Sequence, residues 1–216
     1  MMKKVIALLG DYYHQEANIS PALNHALLKL KNEGEQMEVE YIKAEQLTEK
    51  LQEHPDIVVL YKANRLNPTE EKPRYWMCEK LEEKICQYVK QGGSWFVWHS
   101  GLSSYENFKK YYEMVQGKFD FHPSEHQHVS YQPTGEVTTI RNQFSMVDEH
   151  YFVTCDESNT DVFLRAVSAK GNTVAGWTHA YGMGRVVCLT PAHNKEELVS
   201  NEMVDLLAKS LKLSYL

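Results

Sequence analysis

The sequence has few cysteines, and they form no recognisable pair. Four occur in 216 residues, with no Cys-x-x-Cys spacing. A chain of this length can bury enough apolar surface to fold without disulfides. We therefore expect the thiols to be reduced.

Long apolar runs are also missing. The longest candidate, Ile57 to Tyr61, has the length of a strand and is far shorter than the roughly 20 residues of a membrane span. Val5 to Leu9 is followed by Gly10 and Asp11, which makes the run too short for the core of a signal peptide. These features predict a cytoplasmic protein without a membrane partner.

A basic surface is not indicated either. Lys and Arg total 23 against 29 Asp and Glu, a net charge of −6, and no basic block occurs, so binding to nucleic acid is not expected. Apolar residues make up 43% and charged residues 24%, which favours a folded core over disorder. The length predicts one domain over residues 1–216. Whether the chain forms a homo-oligomer is left open.

The first half of the chain predicts strands that alternate with helices. Continuous β-branched runs such as Asp56–Leu60 are typical of parallel strands buried on both faces. In chain order we predict a strand at Lys3–Gly10, a helix with Ser20 as N-cap and Pro21 at its first position, strands at Met37–Ile42 and Asp56–Leu60, a helix after Pro73, and a strand at Ser94–Trp98.

The second half of the chain has a different pattern of residues. Scattered aromatic residues after Gly101 indicate an irregular insertion, and a final amphipathic helix is predicted from Glu196 to Leu211. Between them, an antiparallel meander is predicted from three β runs: Val162–Ser168, Thr173–Thr178 and Arg185–Thr190. The whole pattern predicts an α/β fold of three layers, α/β/α, with a mostly parallel sheet and an antiparallel extension.

Histidines follow three of the predicted strands. His14 comes after the first, His99 after the fourth and His193 after the last. Ligands of open parallel sheets bind at the carboxyl ends of the strands, so we expect these side chains to share one crevice. The alternative for each is a loop histidine that only hydrogen-bonds to the backbone.

The turn Trp98-His99-Ser100-Gly101 resembles the strand-to-helix elbow that raises a nucleophile above a sheet. Here His99 occupies the raised position, and none of the cysteines does. If the turn holds His99 away from the core, replacing it with alanine should cost no more than about 1 kcal/mol of stability. A nucleophilic Ser100 is the rival interpretation, although no Gly-x-Ser-x-Gly is present.

Two further segments contain candidate metal ligands or a candidate general base. Asp148-Glu149-His150-Tyr151 offers carboxylates and an imidazole for a metal ion or a general base, or is simply a solvated loop. The segment from His122 to His128 contains three histidines, of which His126 and His128 would share a strand face as a zinc or copper site if they are not surface residues.

Several segments together resemble the ThuA-like (trehalose utilisation) family. They are Gly10-Asp11-Tyr12-Tyr13-His14, Gly92-Gly93 through the strand to His99-Ser100, Gly117-Lys118-Phe119 before His122-Pro123, Asp148-Glu149-His150-Tyr151, and Gly176-Trp177-Thr178 through Tyr181-Gly182-Met183-Gly184-Arg185-Val186 to His193. The resemblance implies the flavodoxin-like fold of class I glutamine amidotransferases without their cysteine, and a link to carbohydrate metabolism.

The leading hypothesis is a protein that binds or transforms a sugar or sugar derivative. His99 would be the acid or base, with Asp148 or Glu149 as its partner, and a divalent metal such as zinc would be held by His14, His99 and His193. The alternatives are a non-catalytic ligand-binding or assembly module of the same fold, and a hydrolase that uses Ser100. The candidate ligand contacts are Asp11, Tyr13, His14, Trp98 (whose ring could stack on a sugar), Ser100 and Tyr151.

Overall fold

The computed structural model describes residues 2–135 and 140–215. The strands are β1 (Lys3–Leu9), β2 (Met37–Tyr41), β3 (Ile57–Tyr61), β4 (Ser94–Trp98), β5 (Gly117–Phe121), β6 (Gln127–Pro133), β7 (Phe144–Asp148), β8 (Phe152–Cys155), β9 (Asp161–Ser168), β10 (Gly171–Tyr181) and β11 (Gly184–Leu189). The α-helices are α1 (Glu16–Asn32), α2 (Leu47–Lys50), α3 (Glu79–Lys90), α4 (Lys109–Val115), α5 (Lys195–Leu198) and α6 (Asn201–Lys212).

The central sheet has nine strands in the order β2-β1-β3-β4-β11-β10-β9-β6-β7. Neighbours from β2 to β11 pair in parallel, as in Ile57 with Ser94 between β3 and β4. From β11 to β7 every pairing is antiparallel. The predicted parallel sheet with an antiparallel extension is therefore confirmed. The meander is longer than expected, because β6 and β7 continue it.

Helices cover both faces of the parallel strands. Alternating side chains of β3 enter different cores, with Val59 on one side of the sheet and Val58 on the other. The first core is closed by α1, α5 and α6, and the second by α2, α3 and α4. This confirms the three-layer arrangement. Over the described ranges, no helix is both long and apolar enough to cross a membrane.

The predicted start of the first helix is wrong. α1 begins at Glu16 rather than at Ser20, and Pro21 lies inside it. Ile19 already belongs to the buried face that continues with Ala22 and Leu23. Burying this extra turn against the sheet outweighs the single backbone hydrogen bond that an early proline removes.

The second predicted helix is α3, and it begins at Glu79, later than Pro73 suggested. Side-chain amides hold residues 62–78 as an ordered loop instead. Asn64 Oδ1 accepts from the Met77 amide at 3.1 Å, and Asn67 Oδ1 accepts from the Arg74 amide at 2.6 Å. These bonds satisfy backbone groups that a longer helix would otherwise pair.

The segment after Gly101 is more regular than predicted. It contains α4, and its aromatic residues Tyr105, Phe108 and Tyr111 are buried in the second core. The last predicted helix is two helices, α5 and α6, because Ser200 begins a new one by accepting a hydrogen bond from the Met203 amide at 3.2 Å.

Candidate functional site

His99 occupies a raised turn directly after β4. Its φ of +48° is a left-handed conformation that costs energy for a residue with a Cβ. Gly101 makes the turn possible, since a Cβ there would lie 2.5 Å from the Leu60 carbonyl oxygen. The elbow predicted from the sequence is present, with an imidazole at its apex.

The surroundings of His99 fix which of its nitrogens carries the proton. Nδ1 lies 2.6 Å from the Thr190 carbonyl oxygen, so an Nδ1–H donates to it. Nε2 therefore presents a lone pair, and Glu149 Oε2 lies 3.5 Å away from it. Complete burial lowers the pKa of His99 to about 4, which favours this neutral form.

Asp11 orients His14 at the end of β1. Its Oδ1 accepts from His14 Nδ1 at 2.7 Å, and its Oδ2 accepts from the Ser100 hydroxyl at 2.6 Å and the Ala63 amide at 2.9 Å. Burial alone would raise the pKa of Asp11, but these hydrogen bonds and the nearby His14 hold it well below its usual range. This bond fixes the ring so that His14 Nε2 points toward His193 Nδ1, 3.0 Å away.

His193 and Glu149 complete the group. His193 Nδ1 lies 3.0 Å from His14 Nε2 and 3.3 Å from Glu149 Oε2. Hydrogen bonding to Glu149 raises the pKa of His193. Burial opposes the charge of Glu149, yet the hydrogen bond from His193 holds the pKa of the carboxyl well below its usual range.

Asp148 acts on the backbone of this group rather than on its side chains. Its Oδ1 accepts from the amides of His193 at 2.8 Å and Glu149 at 2.9 Å, and its Oδ2 accepts from the Tyr131 hydroxyl at 2.7 Å. Burial raises the pKa of Asp148 to about 7. The two residues of the Asp-Glu pair therefore have different environments, and only Glu149 faces the histidines.

Four potential ligand atoms converge here. One nitrogen each from His14, His99 and His193 and one oxygen from Glu149 all lie within 4.8 Å of one another. A tetrahedral zinc ion with bonds of about 2.0–2.1 Å needs ligand atoms about 3.3–3.4 Å apart. The contacts of 3.0, 3.3 and 3.5 Å in this group are close to that spacing. Imidazole and carboxylate groups are common zinc ligands. The Nδ1 atoms of His14 and His99 already have hydrogen-bond acceptors, which orient histidine ligands in metal sites.

A pocket of about 600 Å³ adjoins the group, and His14, Glu149 and His193 form part of its wall. Aromatic rings stand around it: Tyr12 and Tyr13 are exposed, whereas Tyr151 is buried and stacks on His99 with ring centroids 4.1 Å apart. The volume is sufficient for a small polar ligand.

Three further residues of the predicted site, or next to it in sequence, have contacts other than those expected. Trp98 is fully buried and its indole N–H donates to the Pro191 carbonyl, so it packs beneath the site and presents no face to a sugar. Asp11 has both carboxylate oxygens already bonded. The imidazole of His150 faces the Ser168 hydroxyl at 2.7 Å.

Ser100 and the cysteines do not form a nucleophilic site in the described part of the chain. The Ser100 hydroxyl donates to Asp11, while the neighbouring His99 ring is engaged with Thr190. All four cysteines are free, and the pocket wall contains none of them. Burial raises the pKa of Cys86 and Cys155 to about 11.

His122 belongs to the histidine-rich segment noted in the sequence but had no predicted role of its own, and the structure places it in the pocket wall together with Phe119 and Arg65. His122 Nε2 lies 3.8 Å and His126 Nε2 4.0 Å from Glu149 Oε1. The density of histidines in this segment was the available signal. The strand face expected to hold His126 and His128 is not formed, because β6 begins at Gln127 and His126 lies before it. Neither histidine belongs to the candidate metal-binding group found among the described residues.

The fold and the site define a class of protein: a flavodoxin-like α/β domain in which a histidine stands at the elbow and three histidines converge with a glutamate. The profile of the ThuA family, described as trehalose utilisation, matches residues 4–213. The chain belongs to this family. The comparison with curated proteins gave no significant match.

Solved structures share the fold at low sequence identity. A ThuA-like protein from Parabacteroides merdae has a TM-score of 0.73 at 14% identity, over 99% of this chain and 90% of that one. A cytoplasmic protein from Salmonella typhimurium has a TM-score of 0.67 at 14% identity, over 99% of both chains. A β-galactosidase from Rahnella sp. R3 has a TM-score of 0.62 at 14% identity, over 99% of this chain but 32% of that one.

Proposed function

We propose that the chain binds and transforms a sugar or sugar derivative in the pocket beside His14, Glu149 and His193, with a divalent cation such as zinc held at its base. The observation that carries the proposal is the convergence of three imidazole nitrogens and a carboxylate oxygen within 4.8 Å. Two of these imidazoles already donate their other N–H to fixed acceptors, Asp11 and the Thr190 carbonyl. Such acceptors orient histidine ligands in metal sites.

The residues then have distinct roles. His14, His99 and His193 supply nitrogen and Glu149 supplies Oε2, so His99 is a ligand when the cation is bound and a neutral base when it is not. Asp11 and Asp148 are positioning residues, one through the His14 ring and the other through two backbone amides. A bound zinc ion would polarise a ligand oxygen or acidify a water molecule.

The pocket suits a polyhydroxylated ring. The exposed rings of Tyr12 and Tyr13 offer apolar faces for the C–H groups of a sugar, while Glu149 and His193 supply polar contacts at the base. The family description, trehalose utilisation, favours this class of ligand. We place the protein in the cytoplasm, as the Salmonella relative is named a cytoplasmic protein.

The first experiment measures zinc in the purified, dialysed protein. We expect at least about one ion per chain, with strong losses in His14→Ala and His193→Ala. His25→Ala is the matched control, because His25 is an exposed histidine on α1. Wild-type protein that takes up no divalent metal, even after zinc is added, would contradict the metal part of the proposal.

The second experiment tests the ligand. We expect one or more members of a panel of mono- and disaccharides that includes trehalose to raise the melting temperature and to be chemically changed on incubation. Tyr13→Ala should weaken that binding by about 2- to 10-fold with unchanged zinc content. Tyr112→Ala, an exposed tyrosine on α4, is the control. Equal sugar affinity in wild type and Tyr13→Ala would remove the stacking role.

A non-catalytic module is the second candidate function. The observation that favours it is the occurrence of this fold as about a third of longer chains, such as the Rahnella β-galactosidase at 32% of its length. A module would bind sugar or a second polypeptide without changing the sugar chemically. Binding without any product, over prolonged incubation with zinc present, would select this alternative.

A further inference from the structure

We infer that the sugar bound in the pocket is anionic, and that the guanidinium of Arg65 binds its carboxylate or phosphate group. The inference rests on the proposed function, because it takes the pocket beside His14, Glu149 and His193 to be the sugar site. It adds the class of ligand, a sugar acid or a sugar phosphate rather than a neutral sugar. Both carry an anionic group whose oxygens can accept paired hydrogen bonds from one arginine.

The positive charge of Arg65 has no carboxylate partner. Arg65 lies on the loop after β3 and forms part of the pocket wall. Its Nε donates to the Asn67 carbonyl oxygen at 3.2 Å, and its Nη2 donates to the Glu70 carbonyl oxygen. The Glu70 carboxylate is paired elsewhere, with Oε1 3.3 Å from Arg74 Nη2. In the described part of the chain, no carboxylate oxygen lies within 4.0 Å of the Arg65 guanidinium.

The two carbonyl contacts also hold the guanidinium of Arg65 in place before a ligand arrives. They use Nε and Nη2, and none of the described residues accepts a hydrogen bond from Nη1. A guanidinium has five N–H donors in one plane, so donors remain for the oxygens of a carboxylate or phosphate. Because the side chain is already ordered, binding costs less conformational entropy than it would for a mobile arginine.

Asn64 ties the loop of Arg65 to two serines that follow β4. Asn64 is fully buried, and its backbone amide and its Nδ2 donate to the Ser103 and Ser104 carbonyl oxygens, each at 3.0 Å. Both serines line the pocket with Arg65, and their Oγ atoms are 3.4 Å apart. Only one of the two hydroxyls can donate to the other, so a hydroxyl hydrogen remains for an oxygen of the ligand.

The other charges of the pocket wall are compatible with an anion. The wall contains two carboxylates, those of Asp11 and Glu149. Both oxygens of Asp11 accept hydrogen bonds, and its charge interacts with the ammonium of Lys62. A divalent cation bound to Glu149 would reverse the local charge there. The pocket with its cation would therefore be positive overall, and a neutral sugar would leave the guanidinium of Arg65 without an ionic partner.

Calorimetric titration of the protein in the presence of zinc tests the inference. The probes are D-glucuronate and D-glucose 6-phosphate with D-glucose as their neutral counterpart, and the same three forms of D-galactose. We expect at least one anionic probe to bind at least about 10-fold more tightly than its neutral counterpart. Arg65→Gln should weaken binding of that probe by about 10- to 100-fold, with unchanged zinc content and unchanged affinity for the neutral sugar.

Two further variants control for the loop itself. Arg65→Lys keeps the positive charge but loses the planar fork, so its affinity for the anionic probe should lie between those of wild type and Arg65→Gln. Arg74→Gln is the matched control, because Arg74 is an exposed arginine on the same loop and is not part of the pocket wall. It should bind every probe as wild type does. The tighter of the uronate and the sugar phosphate identifies the anionic group.

Each other result has a defined meaning. A neutral sugar, trehalose included, that binds at least as tightly as the anionic probes would overturn the inference and leave the proposed function standing. A preference for anions that is equal in wild type and Arg65→Gln would assign the anion to the zinc ion and overturn the role of Arg65. Equal losses of neutral and anionic sugars in Arg65→Gln would make Arg65 a support of its loop and overturn that role as well. No binding of any of these sugars would overturn both the inference and the proposed function.

Discussion

Replacement of His99 by alanine should destabilise the metal-free protein by about 1.5–4.5 kcal/mol. The side chain is fully buried, donates to Thr190 and stacks on Tyr151. Leaving the buried carbonyl without its donor costs about 1–3 kcal/mol, and the lost ring contact about 0.5–1.5 kcal/mol. The smaller loss expected from the sequence assumed a ring raised away from the core, but Tyr151 and Thr190 enclose it.

Urea unfolding in the presence of a chelator measures this quantity, because removing zinc separates packing from metal binding. His25→Ala, at an exposed position of α1, should change the free energy of unfolding by less than about 0.5 kcal/mol. A loss below about 1 kcal/mol for His99→Ala would show that the site absorbs the missing ring and would refute the argument from burial.

The remaining predictions concern metal, nucleophiles and pH. Free zinc at about 100 times its dissociation constant should stabilise the wild-type protein by about 2.7 kcal/mol, which corresponds to a rise of roughly 5–11 °C in melting temperature. Calorimetry with and without a chelator measures this shift, and the chelator should abolish it. Ser100→Ala should retain zinc binding and any sugar turnover, because its hydroxyl serves Asp11; complete loss of turnover with normal folding would support a serine hydrolase. Replacing the four cysteines by alanine should leave zinc and sugar binding unchanged, and a lost metal ion would contradict this. Burial lowers the pKa of His179, whose Nε2–H donates to the Met114 carbonyl oxygen. As the pH falls below about 6.5, this histidine therefore takes up a proton mainly in the unfolded state, and the free energy of unfolding decreases. Urea unfolding at pH 7.5 and 5.5 should show a smaller decline in His179→Gln, and an equal decline would assign the effect elsewhere.

The sequence by itself determined the layers and the strand ends. Continuous apolar runs such as Ile57–Tyr61 can be buried only between two helical layers, and they form β3 with both faces covered. Parallel strands bring their carboxyl ends to one edge, so the expected meeting of His14, His99 and His193 followed from periodicity and chain order.

Helix boundaries depended on tertiary packing. α1 begins before Pro21 because Ile19 is buried against the sheet. Before α3, the side-chain amides of Asn64 and Asn67 bind backbone groups and hold a loop where a helical turn was predicted. Local propensity cannot weigh these effects, since the partners are distant in sequence.

The division of labour between Asp148 and Glu149 also required the tertiary structure. The two carboxylates are adjacent in sequence, yet Asp148 is buried and accepts hydrogen bonds from Tyr131 and two backbone amides. Glu149 instead lies within 4.0 Å of four imidazole rings. Residue type shows that a segment can bind a metal or a proton. Which oxygen faces which nitrogen is decided by the strands and loops that place the partners around it, here β7, the turn after β4 and the loop after β11.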